Sequence, residues 1–149
     1  MKVEAEIEFS KAKAGLSEVM TDAVHRHHAH VIDRNGGRER ALLLGEEVAD
    51  DALSAYRFAP ELILEEGEVT ARLSDFGLLG FGETVDEAMH DLVNELDAYS
   101  DRFLADYAFY RRTKRAHHLP YLLRFKVTSP DRRLGLLLED SKAKTAATA

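Results

Sequence analysis

Four histidines, His25, His27, His28 and His30, fall in one H-x-H-H-x-H run, and His117 and His118 form a pair near the other end of the chain. A metal site needs three or four donors converging at about 2 Å. A run laid across a helix-to-strand join spreads its rings instead, so both groups read as surface patches that gain positive charge near about pH 6. Asp75, Glu83 and Asp86 invite a metal-dependent nuclease reading. That chemistry requires several carboxylates gathered on two metals, and Glu83 and Asp86 are better accounted for by a helix start. The 149 residues include no cysteine, hence no thiolate nucleophile, thiolate metal site or disulfide. No phosphate loop, nucleophile elbow or triad is supported by the spacing. The chain reads as a binding protein with no catalytic residues, no cofactor and no metal.

The binding chemistry on offer is ionic. Residues 11–40 hold six Lys/Arg against four Asp/Glu, besides the four histidines, and form the only locally basic part of the first half. Lys11, Lys13, Arg34, Arg38 and Arg40 are its candidates for neutralising phosphates, a salt-dependent contribution that carries no sequence information. The chain as a whole is acidic, net −7, and unevenly so: residues 59–105 carry −10 and residues 106–149 carry +6. The acidic block would repel a nucleic acid and attract a basic protein. With 45% apolar residues a core is possible, yet no apolar run approaches the ~18 residues of a membrane span and no leader is evident. The expectation is a cytoplasmic protein without membrane contact.

The elements that must carry these residues follow from periodicity. Lys2–Phe9 alternates, with Val3, Ala5, Ile7 and Phe9 on one face, and predicts a half-buried strand. Ser10 is placed to cap a helix whose apolar stripe is Leu16, Val19, Met20, Ala23 and Val24. Ala29–Arg34 and Arg38–Leu44 predict two strands around Asn35-Gly36, a turn in which both central residues can take positive φ. Glu46–Tyr56 predicts a short helix, and Arg57-Phe58-Ala59-Pro60 a linker.

This β-α-β-β-α order, with Ile7-Glu8-Phe9-Ser10-Lys11-Ala12-Lys13, Leu16-Ser17-Glu18-Val19, Val31-Ile32-Asp33-Arg34-Asn35-Gly36 and Ala41-Leu42-Leu43-Leu44-Gly45-Glu46-Glu47, resembles the Phd/YefM-type antitoxins over about residues 3–56. The resemblance implies a homodimer that binds operator DNA and represses its own operon. It also implies that Lys13, at the helix start, and Arg34, closing the second strand, contact the DNA, with Lys11, Arg38 and Arg40 close by. A module of under about 60 residues buries little surface alone, which agrees with pairing.

In the second half, Glu61–Glu65 and Glu68–Leu73 predict strands around Glu66-Gly67, and Asp75–Thr84 a glycine-rich turn. Thr84 to about Arg112 predicts a helix of roughly 40 Å, started by a Thr84/Glu87 capping box and striped by Val85, Met89, Leu92, Leu96, Tyr99, Phe103, Tyr107 and Tyr110. Glu61 to Tyr99 resembles the HicB-like domain, a degenerate RNase H-like ββα module. Leu119-Pro120 predicts a helix stop. Tyr121–Thr128 and Leu134–Glu139 predict a hairpin turning at Ser129–Arg132, and residues 141–149 a loose tail.

The expected architecture is therefore α+β: a Phd/YefM-like module over 1–58, a HicB-like, partner-binding region over 59–140, and a tail. The resemblance implies direct neutralisation of an RNA-cleaving toxin, RelE-like or alternatively HicA-like. The candidate contacts are Leu96, Tyr99, Phe103, Tyr107 and Tyr110 on the long helix and Tyr121, Leu123 and Phe125 on the hairpin. The competing expectation is a stand-alone regulator or scaffold with no toxin.

Overall fold

The computed structural model describes residues 5–148, with side chains over 5–141, and divides into two compact units, Met1–Ala52 and Leu53–Ala149. The fold is α+β, with one three-stranded sheet in each unit.

In the first unit the chain runs β1 (Glu6–Glu8), α1 (Phe9–Ala14), α2 (Leu16–His25), β2 (His30–Arg34), β3 (Glu39–Leu43) and α3 (Glu46–Leu53). β1 and β2 are parallel, Ile7 opposite Ile32, and parallel neighbours need a crossover, here α1 and α2. β2 and β3 form the expected hairpin, Ile32 opposite Ala41, turning through Asn35, Gly36 and Gly37 at φ of 56°, 67° and 83°. Two expectations change. The first strand is shorter than Lys2–Phe9: residues 1–4 lie outside the described residues, and Phe9 already belongs to α1. The single helix capped by Ser10 is two helices broken at Gly15, a residue that weakens a helix by about 1 kcal/mol relative to alanine. Ser10 lies inside α1 and donates to the Glu8 carboxylate at 2.7 Å.

The core of this unit is thin. Ile7, Ala12 and Val19 are buried with Ile32 and Leu43 packed against them. Only Val19 and Ala23 of the α2 stripe turn inward. Leu16, Met20 and Val24, one helical turn apart, remain 50%, 46% and 42% exposed.

The second unit contains β4 (Glu61–Glu65), β5 (Glu68–Leu73) and β6 (Leu78–Gly82), an antiparallel sheet in that order. The long α4 (Val85–Ala105) follows, then α5 (Tyr107–Tyr110), α6 (Leu119–Val127) and α7 (Arg133–Thr148). β6 replaces the expected glycine-rich turn. Its glycines are there because α4 crosses it closely: a Cβ on Gly80 would lie 2.4 Å from both the Ala88 carbonyl oxygen and the Leu92 amide nitrogen. The start of α4 is as expected, with Glu87 N–H donating to Thr84 Oγ1 at 3.1 Å, while the Glu87 carboxylate accepts from Glu83 N–H at 2.8 Å. The helix does not reach Arg112. Asp106 leaves helical backbone at φ −123°, and the break lets Tyr110 fold back and stack on Phe103 at 4.8 Å.

The C-terminal hairpin is overturned: both of its strands are helices, α6 and α7. Pro120 lies in the first turn of α6, and Pro130 opens a 3-10 turn (Pro130–Arg132) leading into α7. A missing N–H costs nothing at such starts. Leu122 and Phe125, three apart, face the core, as does Leu137 of α7, which continues through most of the stretch expected to be a loose tail. Asp140 ties this end together. Its carboxylate accepts from both Arg124 guanidinium nitrogens at 2.7 and 2.9 Å and from Phe58 N–H at 2.7 Å, and Arg124 also donates to the Tyr56 carbonyl at 3.2 Å.

Candidate functional site

Because β1 and β2 are parallel, their C-terminal ends share one end of the first sheet, and α1 leaves from it. The hairpin 35–38 turns at the same end. Lys11 and Lys13 on α1, Arg34 at the end of β2, Arg38 after the turn and Arg40 in β3 are thus gathered at one end of the unit, and all five are exposed. Arg34 binds this arrangement together: its guanidinium lies over the Phe9 ring at 5.1 Å and its Nε donates to Glu39 at 2.6 Å. Hydrogen bonds from Arg34 and then Asn35 hold the Glu39 carboxyl below its ordinary value. Arg40 is paired with Glu6 at 2.6 Å. Lys11, Lys13 and Arg38 have no carboxylate partner among the described residues. The five cations are therefore two kinds: two fixed by strand carboxylates and three free to meet an anion.

The histidine run resolves differently. His25, His27 and His28 are exposed, with His27 at φ 59° and paired with Glu47. His30 is buried and meets the Asp22 carboxylate at 2.7 Å, and His28 reaches the same carboxylate at 3.0 Å. Burial works to raise the Asp22 carboxyl, but hydrogen bonds from His28, Arg26 and His30 outweigh it and hold it below the usual range. No spacing rule in the sequence pairs Asp22 with His30; the contact follows from the turn between α2 and β2. Among the described residues no group of three His, Asp or Glu is arranged to hold a metal ion. Asp75, Glu83 and Asp86 do not converge: Asp75 offers its carbonyl to His118, and Asp86 lies beside His90.

The second unit spends most of the expected partner contacts on itself. Leu96, Tyr99, Phe103 and Phe125 are fully buried in its core, and Tyr107, Tyr110 and Tyr121 pack against that core. They are apolar at helical spacing because they build the interior, not because they await a partner. Leu123 alone of the eight is exposed. The acidic block is also partly consumed. Lys126 bridges Asp97 and Asp101, Arg133 pairs with Asp97, and Asp91 accepts from Phe81 N–H at 2.8 Å. Asp101 and then Asp97 raise the Lys126 ammonium above its ordinary value. Glu65, Glu66, Glu68 and Glu95 have no cation partner among the described residues. No helix among the described residues is long and apolar enough to cross a membrane.

The PHD-like family, described as "Antitoxin of toxin-antitoxin, RelE / RelB, TA system", matches residues 1–138. The chain belongs to that family. It is thus an antitoxin of a RelE/RelB-type system and not an enzyme, and a cognate RelE-type toxin is implied as its partner. The match runs through both units, so the PHD-like antitoxin extends well beyond the residues 3–56 that carry the sequence resemblance. In fold, this PHD-like antitoxin is similar to a crystal structure of the antitoxin part of a proposed toxin/antitoxin system from Syntrophomonas wolfei subsp. wolfei. The TM-score is 0.68 at 24% identity, over 89% of this chain and 96% of the other. No curated protein matches the chain in sequence.

Proposed function

We propose that this PHD-like antitoxin pairs through its first unit, binds operator DNA to repress its own operon, and neutralises an RNA-cleaving RelE-like toxin through its second, HicB-like unit. The observation that carries the DNA reading is the meeting of α1, the end of β2 and the β2–β3 hairpin, which puts Lys11, Lys13, Arg34, Arg38 and Arg40 at one end of the first unit. A two-fold dimer presents two such ends, and their separation sets the spacing of the half-sites. Pairing is supported by the thin core and the uncovered Leu16, Met20 and Val24 stripe. Lys13, unpaired and lacking the bidentate fork of arginine, acts as a phosphate contact. Arg34, steered by Phe9 and Glu39, is the better-aimed of the two.

Toxin binding is supported by the family and by the acidic block over residues 59–105, which complements a protein built to hold RNA. A HicB-like reading of that unit rests on its β4–β5 hairpin followed by a capped long helix. Lys13→Ala with Arg34→Ala is expected to abolish operator retention in a gel shift, flatten its salt dependence and leave the dimer intact. Unchanged retention would reject the DNA reading. Co-purification with the product of the adjacent reading frame separates an antitoxin from a stand-alone regulator.

A further inference from the structure

α4 lies over β6 and β5 and leaves β4 uncovered. Leu62 and Leu64 stand in the same rows as Ala71 and Val69, the residues α4 buries, yet they are 46% and 69% exposed. β4 is also an edge: it pairs with β5 on one side and, among the described residues, with nothing on the other. An exposed edge carrying apolar side chains, with no proline or bulge to blunt it, is a template for another strand.

Charge decides which strand. Glu65, Glu66 and Glu68, at the hairpin end, have no cation partner among the described residues, whereas the α4 acids Asp97 and Asp101 are neutralised within the unit. Glu95 of α4 is also without a cation among the described residues, but of these acids three such carboxylates lie together only at the hairpin end of β4. Pairing β4 with a second copy about Ile63 would set Glu65 of each copy opposite Glu61 of the other, whose carboxylate already holds Arg72 at 2.7 Å, so the copy brings no cation to the Glu65–Glu68 end. A basic strand from a different protein meets the opposite situation.

We infer that the outer edge of β4 is the docking site for an extended, basic segment of the cognate toxin. Its backbone completes the ladder, and its apolar side chains cover Leu62 and Leu64. This deepens the toxin-binding reading above and rests on it. It also moves the contact away from the long-helix aromatics, which the core has taken.

The test titrates the purified product of the adjacent reading frame against the full chain. Leu62→Lys with Leu64→Lys is expected to weaken the complex by about tenfold or more. Amide exchange over Glu61–Glu65 should slow when the unmodified chain binds. Glu65→Lys with Glu66→Lys, at the exposed last position of β4 and the first of its turn, should weaken the complex in the same direction without removing an apolar side chain, which keeps the test valid if the leucine pair unfolds. Unchanged affinity in both variants overturns the inference. So does a loss of self-association in the leucine variant with toxin affinity intact, which would make a second copy the occupant. An unmodified chain that fails to bind overturns the functional reading itself.

Discussion

His118 is held on three sides. Its Nε2 faces the Asp75 carbonyl at 2.9 Å, which can only accept, so Nε2 carries the proton and Nδ1 accepts from the Tyr99 hydroxyl at 2.7 Å. The ring stacks on Phe76 at 4.3 Å. Burial pushes the imidazole below its ordinary value, and the Asp75 carbonyl opposes this only in part. The folded state therefore favours neutral His118. The stability it contributes is complete above the unfolded value, about 6.5, and is lost as pH falls from there toward the folded value. Denaturant unfolding measured from about pH 7.5 to 5 should show stability declining below about 6.5. His118→Gln should be weaker at neutral pH and should lose that part of the decline. Little of this is legible in the sequence. His117 and His118 look alike in the sequence, and nothing local distinguishes the exposed ring from the buried one, because its partners come from residues 75, 76 and 99.

Among elements, those defined by local chemistry were readable and those defined by a neighbour were not. The Thr84–Glu87 cap, the Asn35-Gly36 turn and the β4–β5 hairpin each follow from two to four adjacent residues. β6 was hidden because the residues facing α4 are glycines, which carry no hydrophobic signal. α6 was hidden because Tyr121, Leu123, Phe125 and Val127 alternate like a strand while Leu122 and Phe125 keep helical spacing, and only burial decides between the two. The close crossing of α4 over β6 has a direct test. Gly80→Ala forces a methyl to 2.4 Å from helix backbone and is expected to cost about 2–4 kcal/mol in chemical denaturation. Gly135→Ala on α7, where nothing lies within 4 Å of the added carbon, should be neutral or gain up to about 1 kcal/mol. Equal effects at the two sites would contradict the packing described.

For the molecule as a whole, the first unit has a small interior and an apolar helix face that it leaves uncovered. Met20, in the middle of the Leu16–Val24 stripe, is the residue on which pairing should turn. Met20→Glu is expected to halve the mass measured by light scattering and, with it, to weaken operator binding even though no cation is changed. A variant that remains dimeric would place the interface elsewhere. The positions of the cations could be read from the sequence. Their division into paired and unpaired could not, since Glu6 and Glu39 reach Arg40 and Arg34 only through strand register. The five long-helix residues expected to await a toxin, Leu96, Tyr99, Phe103, Tyr107 and Tyr110, illustrate the same limit: a stripe at helical spacing looks identical whether it faces a partner or its own core.

The Asp140 carboxylate, far along the chain, is the anchor for the segment through which the chain enters the second unit, because it holds both the Phe58 amide and the Arg124 side chain that grips Tyr56. A single protease nick in α7 ahead of Asp140 would strand a guanidinium without its counter-ion and free that segment more than eighty positions upstream. One clip near the end of the chain would thus be felt at residues 56–58, which enter the unit first and depend on its last helix to hold them.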